Sequence, residues 1–262
     1  MKRTSVLTML ARTRHASKRP SMTTVKTTIR RALYTTAMLL AFGVTTAKAQ
    51  TPIDPLEAKV VGIRDRFLAA VRACGLEPTF EPEVELATDA RVISYDPDKR
   101  AVIIGRYQAL PPPIKSFLAA WAAHDMPGRT PEELFDKLFN GFLVAHELGH
   151  WVGDQSGRMA TVDFYSFEIE ANRFAIAFAA LDPATMAARE ETVGQFSYIR
   201  TLPNPVPEGQ TARQYFNDNY ATLTTRDPVA YNWYQGHFMQ TAWEQRDAAD
   251  FCDLSRLGPE TN

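Results

Sequence analysis

Apolar residues recur at helical spacing from Pro55 to Cys74, where Val60, Ile63, Phe67, Ala70 and Val71 share a face, and Gly75 follows as a natural stop. A weak alternation over Glu83 to Thr88 predicts a strand. Two β-branched runs, Arg91 to Tyr95 and Ala101 to Gly105, flank the turn-forming stretch Asp96 to Arg100 and predict a hairpin. Pro111 to Pro113 is a break, Ile114 to His124 reads as a helix, and Asp125 to Arg129 as a loop. Thr130 can cap the next helix, Pro131 suits its first turn, and Glu133 completes a capping box. Leu134, Leu138, Phe142 and Ala145 continue one face of it, and the run carries on into His146. Further helices are predicted over about Phe167 to Ala180 and from Asp227-Pro228 through Trp233 and Met239 towards Gln245. One hairpin region with four or five helices predicts a mostly helical α+β domain.

Composition narrows this picture only at the ends. With 45% hydrophobic and 23% charged residues, the chain is neither disordered, low in complexity nor a multi-span membrane protein. Charge is unevenly spread: ten of the 29 basic residues and none of the 30 acidic ones fall in residues 1–49. The remainder carries a net charge of −11, which argues against a nucleic-acid partner. Lys26, Arg30 and Arg31 precede the apolar run Ala32 to Ala47, and Ala47-Lys48-Ala49 supplies small residues for cleavage. Residues 1–49 therefore read as a secretory signal, with Met22 a possible true start, and residues 50–262 as one exported domain, periplasmic or extracellular. The rival reading is an uncleaved anchor; the run is short and rich in Thr for a stable membrane span. Cys74 and Cys252 are the two cysteines, and export favours a disulfide between them over two buried thiols.

The chemistry centres on His146-Glu147-Leu148-Gly149-His150. Histidines at i and i+4 lie on one helical face, so both imidazoles can meet one zinc ion. Glu147, beside them, can act as general base on a zinc-bound water. A third ligand is required, and Glu168 is the candidate, with Asn172 one turn later placed to hydrogen-bond a liganding histidine. Glu170 competes for that role but points about 200° around the helix from Glu168. Both glutamates could instead be solvated helix charges. Tyr231, Tyr234 and His237 are candidates to stabilise an oxyanion, or are simply packed aromatics. Asp154 could orient an imidazole or merely end a helix, and His124 reads as a surface residue.

HELGH followed after seventeen residues by E-x-E-A-N-R-F-A resembles the gluzincin branch of zinc metallopeptidases, including the Ste24/HtpX-like and ImmA/IrrE-like groups. The resemblance covers Thr130 to Phe174. It implies a zincin-like fold with a small antiparallel sheet beside an active-site helix. It also implies His146, His150 and Glu168 as zinc ligands, Glu147 as the catalytic base and Asn172 as partner to a ligand. Asn172 departs from the Asp of Ste24/HtpX-like proteases, which also carry membrane helices not read here. In zincins a strand upstream of the zinc helix often forms the edge on which substrate lies, and Ala101 to Gly105 is the candidate; it could equally just cover the core. The expected function is an exported zinc-dependent peptidase acting on peptide or protein substrates. The alternatives are a zinc-bound, non-catalytic partner-binding or chaperone-like module, against which an intact Glu147 argues, and a hydrolase of non-peptide amides.

Overall fold

The structure, a computed structural model, describes residues 53–258, and at 184–187 the backbone only. The signal read at 1–49 lies outside the described residues. Helix α1 (Pro55–Ala73) starts where the Asp54 carboxylate accepts the Leu56 N–H at 2.9 Å, and stops before Gly75, whose φ of 81° an L side chain would resist. Three short strands follow: β1 (Glu83–Leu86), β2 (Ile93–Asp96) and β3 (Ala101–Ile104). Then come α2 (Pro112–Asp125), α3 (Pro131–Lys137), one π-helical turn (Leu138–Phe142) and α4 (Leu143–Gln155). The chain continues through α5 (Phe164–Ala179), α6 (Pro183–Gly194), α7 (Ser197–Arg200), α8 (Ala212–Arg226), α9 (Pro228–Glu244) and α10 (Phe251–Ser255). The molecule is mostly helical α+β.

The hairpin forms as expected, with Ile93 opposite Ile104 and Asp96 opposite Ala101. The sheet as a whole is mixed rather than antiparallel, in the order β1-β3-β2 with β1 parallel to β3. Side-chain chemistry explains the order. Ala101 to Ile104 are buried at all four positions, so this strand takes the centre, where both edges are paired. The polar-spaced strands β1 and β2 take the outside. Ala101 to Gly105 is therefore no free edge for a substrate; β1 and β2 form the two edges.

Helix α3 carries the expected capping box: Thr130 Oγ1 accepts from the Glu133 N–H at 3.1 Å, and Glu133 accepts from the Thr130 N–H at 2.7 Å. The long helix read from Thr130 into His146 is interrupted by the π turn, which shifts the faces of α3 and α4 relative to each other. Four helices, α6, α7, α8 and α10, lie beyond those expected. In α8 only Phe216 and Leu223 are fully buried, seven residues apart, so its periodicity is nearly silent.

Helix α4 is buried on almost every side. One core packs α1, the sheet, α5 and α10 around it through Phe67, Trp151, Phe174 and Phe251. A second core joins α2, α3, α7 and α9, and a third joins α8 to α9. Cys74 and Cys252 form a disulfide, with Cα atoms 5.2 Å apart, that ties the end of α1 to α10. Among the described residues no helix is long and apolar enough to cross a membrane.

Candidate metal centre

Two glycines set the distance between the helices that carry the site. A Cβ on Gly149 would lie 3.0 Å from the Ala171 Cα, and one on Gly153 would lie 2.3 Å from the Phe167 ring. Their bare backbone lets α5 lie close against α4, which brings Glu168 over the face that carries His146 and His150. The Nε2 atoms of His146 and His150 are 3.1 Å apart. A Glu168 carboxylate oxygen stands 3.5 Å from the first and 3.9 Å from the second. All three side chains are largely buried.

Hydrogen bonds fix the state of the first ring. The Asn172 amide N–H donates to the Glu168 backbone carbonyl at 3.0 Å, which turns its oxygen towards His146 Nδ1, 3.1 Å away. That oxygen can only accept, so Nδ1 holds the proton and the Nε2 lone pair faces the cluster. His150 Nδ1 is buried with no hydrogen-bond partner, so this ring's polar engagement is through Nε2. Donors held 2.0–2.1 Å from a tetrahedral zinc lie roughly 3.3–3.4 Å apart, close to the spacing of these three atoms. The set of two imidazole nitrogens and one carboxylate oxygen fits zinc chemically as well.

Glu147 also offers an oxygen within 4.8 Å of the histidine donors, so His146, Glu147 and His150 form a group that could hold a metal. Its carboxylate is already engaged, however, accepting the Tyr95 N–H of β2 at 2.7 Å. Burial pushes Glu147 up to about 7; the neighbouring Glu168 charge adds to this, while His146 and the Tyr95 N–H oppose it. Burial also acts upward on Glu168, but the adjoining His146 and His150 rings and the Gln235 N–H outweigh it and hold it at about 2. Burial and the neighbouring His146 lower His150 to about 4, which keeps it neutral and available as a donor. The two carboxylates are thus pushed in opposite directions, Glu168 down and Glu147 up.

The other candidates divide. Glu170 turns away into a buried ion pair with Arg158, at 2.6 Å, so it does not compete with Glu168. Tyr231 reaches the site, its hydroxyl 3.4 Å from Glu168 Oε1. Tyr234 is buried in the α8–α9 core and donates to the Ala212 carbonyl at 3.1 Å. His237 lies against Trp233 and bonds its carbonyl at 2.8 Å. Asp154 orients no imidazole; it accepts the Tyr95 hydroxyl at 2.7 Å. His124 is half exposed and pairs with Asp125.

Three participants escaped the sequence reading. Gln235 donates to Glu168 Oε2 at 2.9 Å, the Tyr220 hydroxyl stands 3.5 Å from Oε1, and Tyr95 holds Glu147 through its backbone. The i,i+4 spacing of Tyr231 and Gln235 is the one signal that pairs any of them with a candidate already named. The chain matches no family model, no curated protein and no solved structure.

Proposed function

We propose that the chain is a zinc-dependent peptide hydrolase with a zincin-like helix pair of the gluzincin kind, working in an oxidising compartment outside the cytoplasm. The observation that carries this reading is the meeting of His146, His150 and Glu168 at one point, with the Glu147 carboxylate alongside. His146, His150 and Glu168 would hold the zinc. When bound, zinc supplies Lewis-acid polarisation of a carbonyl and eases the ionisation of water. Glu147 takes the proton from the attacking water and delivers it to the leaving amine; a pKa near 7 suits both directions. Asn172 keeps His146 in the tautomer that presents Nε2, and Gln235 with Tyr231 keeps the Glu168 carboxylate oriented. The Cys74–Cys252 disulfide supports the placement outside the cytoplasm.

The test is metal analysis of purified protein together with digestion of unfolded polypeptides. About one zinc per chain and cleavage that Glu147→Gln lowers by about 10²- to 10⁴-fold, without loss of zinc, are the expected results. His146→Ala should lose zinc and cleavage together. A chain that takes up no zinc on reconstitution would overturn the assignment. Full zinc with equal cleavage by the wild type and Glu147→Gln would remove Glu147 as the base.

A further inference from the structure

We propose that Phe164 and Tyr220 form a stacked platform that receives an aromatic or large aliphatic side chain of the substrate next to the scissile bond. The proposal rests on the hydrolase reading above and adds the substrate class to it. Phe164 opens α5 and lies four residues before Glu168, so the two rise from one face of the helix, a turn apart. Phe164 is 48% exposed, among the most exposed large apolar residues of the described residues. A scattered exposed Phe is ordinary. This one differs in what lies beneath it.

The ring of Tyr220 lies parallel to it, with centroids 4.2 Å apart and planes 5° from parallel. The fully buried Phe216 packs edge-on against Tyr220 at 5.5 Å. The Tyr220 hydroxyl stands 3.5 Å from Glu168 Oε1. Tyr220 thus links Phe164 both to the buried core and to Glu168 of the donor cluster.

The platform is held rigidly. Asp163 caps α5 and accepts from Asn217 on α8 at 2.9 Å, while the Tyr165 N–H donates to the Asn217 side-chain oxygen at 2.9 Å. The start of α5 and the middle of α8 are therefore stitched together on both sides of Phe164. A flat apolar face fixed in place beside a hydrolytic centre recognises a substrate by burying an apolar side chain, with little ordering cost on the protein's side.

The experiment compares two decapeptides that differ at one position, Phe or Ala, flanking the cleaved bond. The zinc-loaded wild type, Phe164→Ala and Phe164→Tyr are assayed on both. Binding of the same peptides is measured calorimetrically on Glu147→Gln, with and without Phe164→Ala. The wild type should favour the Phe peptide by about tenfold or more in kcat/KM. Phe164→Ala should bring the ratio to within about twofold, and Phe164→Tyr should restore it. A ratio that Phe164→Ala leaves unchanged, or no preference in the wild type, overturns the platform. If the wild type holds zinc but cleaves nothing, the hydrolase reading fails and the binding arm decides. Preference for the Phe peptide that vanishes with Phe164→Ala keeps the platform; equal binding of both peptides overturns it.

Discussion

Asn172 has no room to serve in any other way: it is fully buried, and its two polar ends are committed to His146 and to the Glu168 carbonyl. Asn172→Ala leaves the His146 Nδ1–H without an acceptor and frees the ring to turn or change tautomer. Zinc affinity, read by competition with a chromophoric chelator, should fall about 10- to 100-fold. Asn172→Asp, which keeps an acceptor at that point, should recover most of it. At this scale the sequence was informative where spacing carries meaning. His146 and His150 one turn apart, and Glu168 one turn before Asn172, declare a shared face before any fold is known. Tyr95, Tyr220 and Gln235 lie far from the motif along the chain and belong to no recognisable spacing with it. Only the folded backbone brings them to the two glutamates.

Between elements, the decisive feature is the seat that α4 offers to α5. Glycine in a helix interior costs about 1 kcal/mol relative to alanine, so a pair four residues apart marks a place where something else must come close. Gly153→Ala would place a methyl group 2.3 Å from the Phe167 ring, which also packs on His150 with centroids 4.7 Å apart. The expected outcome is a loss of about 1–3 kcal/mol in urea unfolding, with weakened zinc binding as Glu168 is pushed off the histidines. Gly194→Ala is the control: a Cβ at this last residue of α6 meets nothing within 4 Å, so it should leave zinc binding unchanged and cost no stability. Local signals were readable at this scale, as the capping box of α3 and the β2–β3 hairpin demonstrate. The strand order was less so, although the unbroken apolar run Ala101 to Ile104 already asks for a central position. The π turn left no mark, because Leu138 to Phe142 fits an α-helical repeat equally well.

Across the whole molecule, stability depends on ties between distant stretches of chain. The disulfide spans 178 residues of sequence, and closing so large a loop restricts the unfolded chain strongly. Reduction, or Cys252→Ser, should lower the unfolding free energy by about 2–5 kcal/mol, visible as a shift in the urea midpoint between oxidised and reduced protein. Acid should loosen a second tie. Asp163 is held at about 2: burial acts upward, but the bonds from Arg213, Asn217 and Ser166 outweigh it. A carboxylate depressed in the folded state stabilises fully above its unfolded value of 3.8 and loses that contribution as pH falls through about 2. Wild type should therefore lose about 1–2 kcal/mol more than Asp163→Asn between pH 5 and pH 2, measured by urea unfolding at each pH. The pairing of the cysteines could be read from their even number, but Arg213 and Asn217, which hold Asp163, lie on α8, whose weak periodicity hid the helix itself.

One residue of β2 grips α4 twice: the Tyr95 N–H is bonded to Glu147, and the Tyr95 hydroxyl is bonded to Asp154 almost two turns further along. An amide proton shared with a carboxylate senses the charge on that carboxylate directly. In a nitrogen–proton correlation spectrum the Tyr95 resonance becomes a built-in titration probe. It should sit far downfield while Glu147 is ionised and move upfield as Glu147 gains its proton. Following that single peak across pH, in apo and zinc-loaded protein, would read the protonation of Glu147 without any substrate.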